Sequence, residues 1–232
     1  MEALISYISY PIFLVAYIRG VQNAILVCRA SPEAHLHPEA GRLSSFLAGV
    51  LDVVFLGRLF KVNKALWIGE WLFHLTFVLT LIGHLRFILY SLPAWMSTTV
   101  CIGKYAGLFL PFTIVYILFV RIMNRERKHF LSIRNIMLIT HIGFLGLTGV
   151  LMRYMIRPDI ISVKHFMISL LAFRPVMPPP ETIFIIHYLL FLGLLLYIPS
   201  HIIGAPLVIV AARLRGERAK LLHYPGRETT YD

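Results

Sequence analysis

Two cysteines in 232 residues, Cys28 and Cys101, are too few for an iron–sulfur cluster or a four-cysteine zinc site, and no C-x-x-C-H segment offers a covalent anchor for c-type haem. Any redox cofactor must therefore be held by other side chains. Charge is scarce as well: 14% of the residues are charged and only 11 are acidic, against roughly 25% charged in an ordinary soluble domain. With no soluble basic domain to carry it, the net charge of +11 does not point to nucleic acid. The N-terminal stretch MEALISYISYPIFLVAYIRGVQNAILVC lacks the basic n-region and small-residue cleavage site of a secretory leader, so a retained first span is expected. No internal repeat or low-complexity linker interrupts the chain, and we expect a single membrane domain over 1–232.

What is abundant is apolar surface. Hydrophobic residues make up 58% of the chain and the mean hydropathy is +0.77, which excludes a soluble domain and predicts an integral membrane protein. Runs long enough to cross about 30 Å of hydrocarbon at about 1.5 Å per residue lie near 3–28, 65–90, 103–123, 132–154 and 182–212. The expected fold is an all-α bundle of five transmembrane helices. A shorter amphipathic segment near 44–60, interrupted by Asp52 and Arg58, reads as an additional helix lying in the interface or against a partner. Lys and Arg between the spans divide fifteen to six, which puts the N-terminus in the periplasm and the C-terminus in the cytoplasm of a prokaryotic inner membrane. Cys28 and Cys101 then fall on opposite sides and are not expected to pair.

Ten histidines are present, of which His35, His37, His129, His165 and His223 lie in predicted loops or tails. His74, His84, His141, His187 and His201 lie within spans, where an imidazole is costly and points to function. On the second span His74 and His84 are about 15 Å apart along the axis and about 80° around it, and on the fifth His187 and His201 are about 21 Å and about 40° apart. Because these spans run in opposite directions, His84 shares the outer level with His187, and His74 shares the inner level with His201. Facing imidazoles across a gap between helices suit bis-histidine ligation of haem iron. A bend expected at Pro199 is one way to absorb the mismatch between the two spacings. His141 lies about as deep as His74 and His201, so three histidines contend for the inner site. Its alternatives are a hydrogen bond to a haem propionate, to a quinone or to a neighbouring helix. Arg86 is a candidate propionate partner, with snorkelling to the headgroups as its ordinary role. Gly83, Gly143, Gly146, Gly149 and Gly193 suit either close approach to a flat macrocycle or plain helix packing. Asp159, Lys164 and His165, in the connection RPDIISVKHFMISLLAFRPVMPPPE, are proton-handling candidates near the outer level or part of a docking loop.

The stretches WLFHLTFVLTLIGH, YPIF and IIHYLLFLGLLLYIPSHIIGAP resemble the gamma subunit of respiratory nitrate reductase and the related membrane cytochrome b subunits of sulfate-reducer transmembrane redox complexes. The RLFKVN segment ahead of the second span looks more like the sulfate-reducer branch, and the fifth-span histidines stand about one turn closer together than in the nitrate reductase subunit. The resemblance implies two haem b groups held by His74, His84, His187 and His201. It also implies electron transfer in anaerobic respiration between a quinone pool, menaquinone included, or a periplasmic multihaem cytochrome, and a cytoplasmic iron–sulfur subunit of heterodisulfide-reductase-like type beside other membrane subunits. The basic inner loops, the 44–60 helix and the tail from Arg213 would form the docking platform, or would simply meet anionic lipid. A proton-coupled transporter and a cofactor-free membrane anchor are the rival readings. The first calls for acidic groups within the spans and an inverted repeat, whereas Glu70 and Glu181 lie toward span ends.

Overall fold

The structure, a computed structural model, describes residues 2–29, 42–94, 96–123 and 133–214. It consists of α1 (Glu2–Arg29), α2 (Arg42–Val54), α3 (Gly57–Val62), α4 (Lys64–His84), α5 (Met96–Met123), α6 (Ile133–Leu151), α7 (Ile160–Leu171), α8 (Thr182–Ile198) and α9 (Ala205–Leu214), with no strand among the described residues. Among the described residues four helices, over Leu4–Val27, Lys64–Phe87, Met96–Met123 and Asn135–Ile156, are long and apolar enough to cross a bilayer, and they overlap the first four expected spans. The fifth expected span is broken: α8 ends at Ile198, Pro199–Gly204 forms a π-helical turn, and α9 follows. Pro199 supplies the reason, since it has no N–H to donate and its ring crowds the preceding turn, and the chain absorbs this by widening. His201 thus sits inside a π turn and not on a continuous α-helix.

Packing gathers the described residues into two compact units. The larger comprises Met1–Ala16 and Leu59–Tyr197. In it α4, α5 and α6 pack in antiparallel sequence around α5, whose Gly103, Ala106, Leu110, Ile114, Ile117 and Val120 are buried at spacings of three and four residues. The opposite face of α5, with Phe109, Phe112, Val115 and Phe119, is exposed. A helix apolar on all sides needs lipid around it. Small residues let α4 and α5 cross closely: a Cβ on Gly103 would stand 3.0 Å from the Leu79 carbonyl oxygen and 3.3 Å from the Gly83 Cα. Toward the start of α4 the same helices are locked by Arg121 Nη2 and Glu70 Oε1, 2.6 Å apart, with side chains only 12% and 14% exposed.

The segment read as a loop after the fourth span contains α7, a helix of 12 residues that is too short to span and was therefore overlooked. Asp159 caps it, accepting from the Ile161 and Ser162 amides, and Phe173 ends the following turn with a positive φ of 57°. Val163, Phe166 and Leu170 form its buried face, and Phe166 is completely covered, with its ring 5.8 Å from Phe184 and 5.2 Å from Tyr188 at near-perpendicular angles. Burial of one such ring stabilises by about 1.5–3 kcal/mol. Phe87, just after α4, packs against this cluster, so α7 joins the ends of α4 and α8. The first half of α1 is fastened here by polar contacts: Ser6 Oγ donates to the Val176 carbonyl at 2.7 Å, and Ser9 Oγ, donating to Ile5, meets the Tyr188 hydroxyl at 2.8 Å.

The smaller unit comprises Tyr17–Arg58 and Ile198–Asp232. Here α2 packs on α9, and a Cβ on Gly49 would come within 3.1 Å of the Val210 Cα. Asp52, read from sequence as an interruption, anchors the contact through Arg213 Nη2 at 2.6 Å and Nε at 2.7 Å, with Arg58 at 3.8 Å. The helix expected near 44–60 thus exists as α2 and α3, divided where Leu56 takes a positive φ of 48°. Leu43, Leu47 and Leu51 remain exposed on its other face. His35, His37, His129 and His223, with the basic clusters at 125–128 and 215–227, lie outside the described residues.

Candidate functional site

Within the larger unit α4 and α8 bring two span histidines face to face. The His84 and His187 ring centroids lie 6.3 Å apart and the ring planes are within 12° of parallel. His84 is placed by its own helix. Thr80 Oγ1 donates to the Thr76 carbonyl, and the Thr80 carbonyl in turn receives His84 Nδ1 at 2.7 Å. A carbonyl only accepts, so Nδ1 carries the proton and Nε2 keeps its lone pair. Phe87 meets the His84 ring edge-on at 5.9 Å, and the Arg86 guanidinium lies 4.5 Å over the Phe87 ring.

His187 is held differently, by α6. Its Nδ1 lies 2.9 Å from Thr148 Oγ1, and that hydroxyl has the Phe144 and Leu145 carbonyls within 3.0 and 2.9 Å. A threonine hydroxyl that donates to a backbone carbonyl accepts from His187 Nδ1–H, the arrangement in which Nε2 is again left free. Beside it Gly149 permits the approach, since a Cβ there would stand 3.3 Å from His187 Cε1. The reciprocal contact occurs along the same helix pair, where a Cβ on Gly193 of α8 would stand 3.0 Å from His141 Cε1 of α6. Gly83, Gly143 and Gly146 instead face helix neighbours.

The other span histidines are arranged less alike. His74 Nδ1 donates to the Glu70 carbonyl at 2.6 Å, which leaves its Nε2 free and sets it one turn beyond the Glu70–Arg121 pair. His141 Nε2 donates to the Leu190 carbonyl at 2.8 Å and its ring lies 6.3 Å from Tyr197, so only Nδ1 is left to act as a ligand. His201 belongs to the smaller unit and is exposed. The proton-handling candidates are engaged in local structure: Asp159 caps α7 and Lys164 Nζ donates to the Tyr90 carbonyl at 3.1 Å, while His165 is exposed. The Ser162 hydroxyl, then the Ser162 and Ile161 amides, hold the Asp159 carboxyl below the usual carboxylate range.

The donor set fits haem. No cluster of three or more His, Cys, Asp or Glu able to hold a bare ion occurs among the described residues, but haem brings its own equatorial nitrogens and needs two axial donors. His84 and His187 offer two Nε2 atoms, each on a ring whose other nitrogen is hydrogen-bonded, as ligating imidazoles require. A metal–nitrogen bond of about 2 Å on each side, with the half-width of each ring, accounts for the centroid separation. Arg86 Nε is buried with no hydrogen-bond partner, a donor suited to a propionate. Thr148 and Gly149 were not singled out as partners of His187 in the sequence. The available signal was the GLTGV stretch, a hydroxyl between glycines in a span carrying its own histidine.

The chain is similar to two proteins named Hdr-like menaquinol oxidoreductase cytochrome b-like subunit. It is 31% identical over 155 residues to one from Archaeoglobus fulgidus, covering 60% of this chain and 46% of the relative. The second, from Archaeoglobus profundus, is 27% identical over 165 residues, covering 60% of this chain and 48% of the relative. The chain spans about half the length of these curated relatives. No family model and no solved structure matches it. The relatives support the sulfate-reducer-type cytochrome b side of the resemblance and correct the nitrate reductase gamma side, which neither of them supports.

Proposed function

We propose that the chain is a multi-pass cytochrome subunit that carries electrons across the membrane on two b-type haems. Its complex connects a menaquinone pool, or a periplasmic multihaem cytochrome, with a cytoplasmic iron–sulfur subunit of heterodisulfide-reductase-like type. The observation that carries this reading is the His84–His187 pair: two nearly parallel imidazoles from different helices, 6.3 Å apart, both hydrogen-bonded through Nδ1 and both with Nε2 free. The names of the relatives support the cytochrome and the menaquinol donor. By the charge bias this pair lies at the outer level. When bound, a haem supplies an iron that gains and loses one electron, and its potential follows from ligation, burial and hydrogen bonding.

The chain's own residues do the holding. His84 and His187 would hold one haem iron through Nε2, and Arg86 would pair with a propionate. For the inner haem the sequence order nominates His74 with His201, or with His141 through Nδ1. A relay of protons through the spans finds less support, because Glu70 is tied to Arg121. The test is a reduced-minus-oxidised spectrum of the purified chain or complex, followed by menaquinol addition. Low-spin b-type bands, reduced in part by menaquinol, are expected. A colourless protein would return the reading to a transporter or an anchor, and bands indifferent to menaquinol would remove the quinol donor alone.

A further inference from the structure

We infer that Thr148 is the positioning residue of the outer haem's α8 ligand, fixing His187 as the Nδ1–H tautomer and setting how strongly its Nε2 donates to iron. This rests on the bis-histidine reading of the His84–His187 pair. Three span histidines show the contrast. His74 and His84 each turn Nδ1 back onto the carbonyl four residues earlier in their own helix, a partner that any residue supplies. His187 instead reaches across to α6, where its Nδ1 lies 2.9 Å from Thr148 Oγ1, beside the Leu145 carbonyl.

Thr148 is only 8% exposed, so water does not replace it. A hydroxyl that donates to the Phe144 or Leu145 carbonyl has an oxygen able only to accept from the imidazole. Because the acceptor sits on a different helix from the ligand, it also fixes the ring's rotation relative to α6, against which Gly149 lets the ring lie. An acceptor on the far nitrogen makes a ligating imidazole more basic, and a more basic ligand favours the ferric over the ferrous state. His84, bonded to a carbonyl of its own helix, would keep its partner when position 148 is changed.

The experiment compares wild type with Thr148→Val, which keeps the shape without the hydroxyl, and Thr148→Ser, which keeps the hydroxyl, each in the membrane-embedded or purified complex. The readouts are haem content, redox titration of each haem and low-temperature electron paramagnetic resonance. Thr148→Val is expected to change one haem and spare the other. A tenfold loss of ferric preference corresponds to a rise of about 59 mV for one electron, and outright loss of that haem alone is the stronger form of the same result. Thr148→Ser is expected to restore the wild-type potential and resonance. The inference is overturned if Thr148→Val leaves both potentials unchanged, or if Thr148→Ser behaves as Thr148→Val does. If His187→Ala keeps both haems, or the wild type has none, it is the ligand assignment that fails, and this inference falls with it.

Discussion

The His84–His187 pair and the remaining span histidines are built from the same residue type and differ in what restrains each ring. His84 and His187 belong to one compact unit, lie directly opposite each other, and adjoin a cluster in which α7 packs on Phe184, Tyr188 and Phe87. Elsewhere in the same unit His74 lies one turn from an ion pair and His141 is hydrogen-bonded through Nε2 to α8, while His201, in the smaller unit, occupies a π turn. Depth in the bilayer alone does not identify a ligand. The nitrogen left free by the second-nitrogen hydrogen bond distinguishes the rings: His74, His84 and His187 offer Nε2, whereas His141 offers Nδ1.

The comparison breaks most sharply on stoichiometry. His84→Ala or His187→Ala should each halve the haem per chain measured as pyridine haemochrome, while the remaining haem keeps its potential. If His141→Ala also halves it, His141 through Nδ1, and not His201, is the partner of His74. Next comes the cap: Phe166→Ala removes a ring with no exposed surface and should cost about 3–5 kcal/mol, seen as earlier thermal release of the outer haem than of the inner. Equal release of both would show that α7 does not act on the outer level in particular. On the other side, Glu70→Gln leaves Arg121 facing a neutral partner in a largely buried site. That should cost about 3–5 kcal/mol, disturb the inner haem's spectrum and leave the outer one intact.

The smallest effect concerns the start of α7. The carboxyl of Asp159 is held below its ordinary range by Ser162 and Ile161, so its contribution is complete above the unfolded-state pKa and is lost as pH falls through the lower folded value. Asp159→Ala should raise hydrogen exchange at the Ile161 and Ser162 amides at neutral pH, and acid should bring the wild type toward the variant. Exchange that is independent of both changes would remove the cap from the account.

The long spans were legible because length and hydropathy act over twenty or more residues and do not depend on partners. The face-to-face histidines were legible because antiparallel helices of known rise put His84 and His187 at one depth. α7 was not, since an apolar run of 12 residues between turns is ambiguous until its partners are known. The π turn at Pro199 was legible as a bend but not as a change of register, because proline announces the lost hydrogen bond and not how the chain recovers it. Asp52 misled for a related reason: a charge in an apolar helix reads as an interruption until Arg213, more than a hundred and sixty positions later in the chain, is seen against it. Thr148 needed the same kind of long-range fact.

Near-infrared magnetic circular dichroism of the oxidised protein, wild type against His187→Met, addresses the shared ligation of one iron by α4 and α8 most directly. Wild type should show bis-imidazole ligation at both haems, and the variant should convert one of them to histidine–methionine ligation with a higher potential. A spectrum unchanged by the substitution would mean that His187 does not bind iron, and the facing imidazoles would then need another purpose.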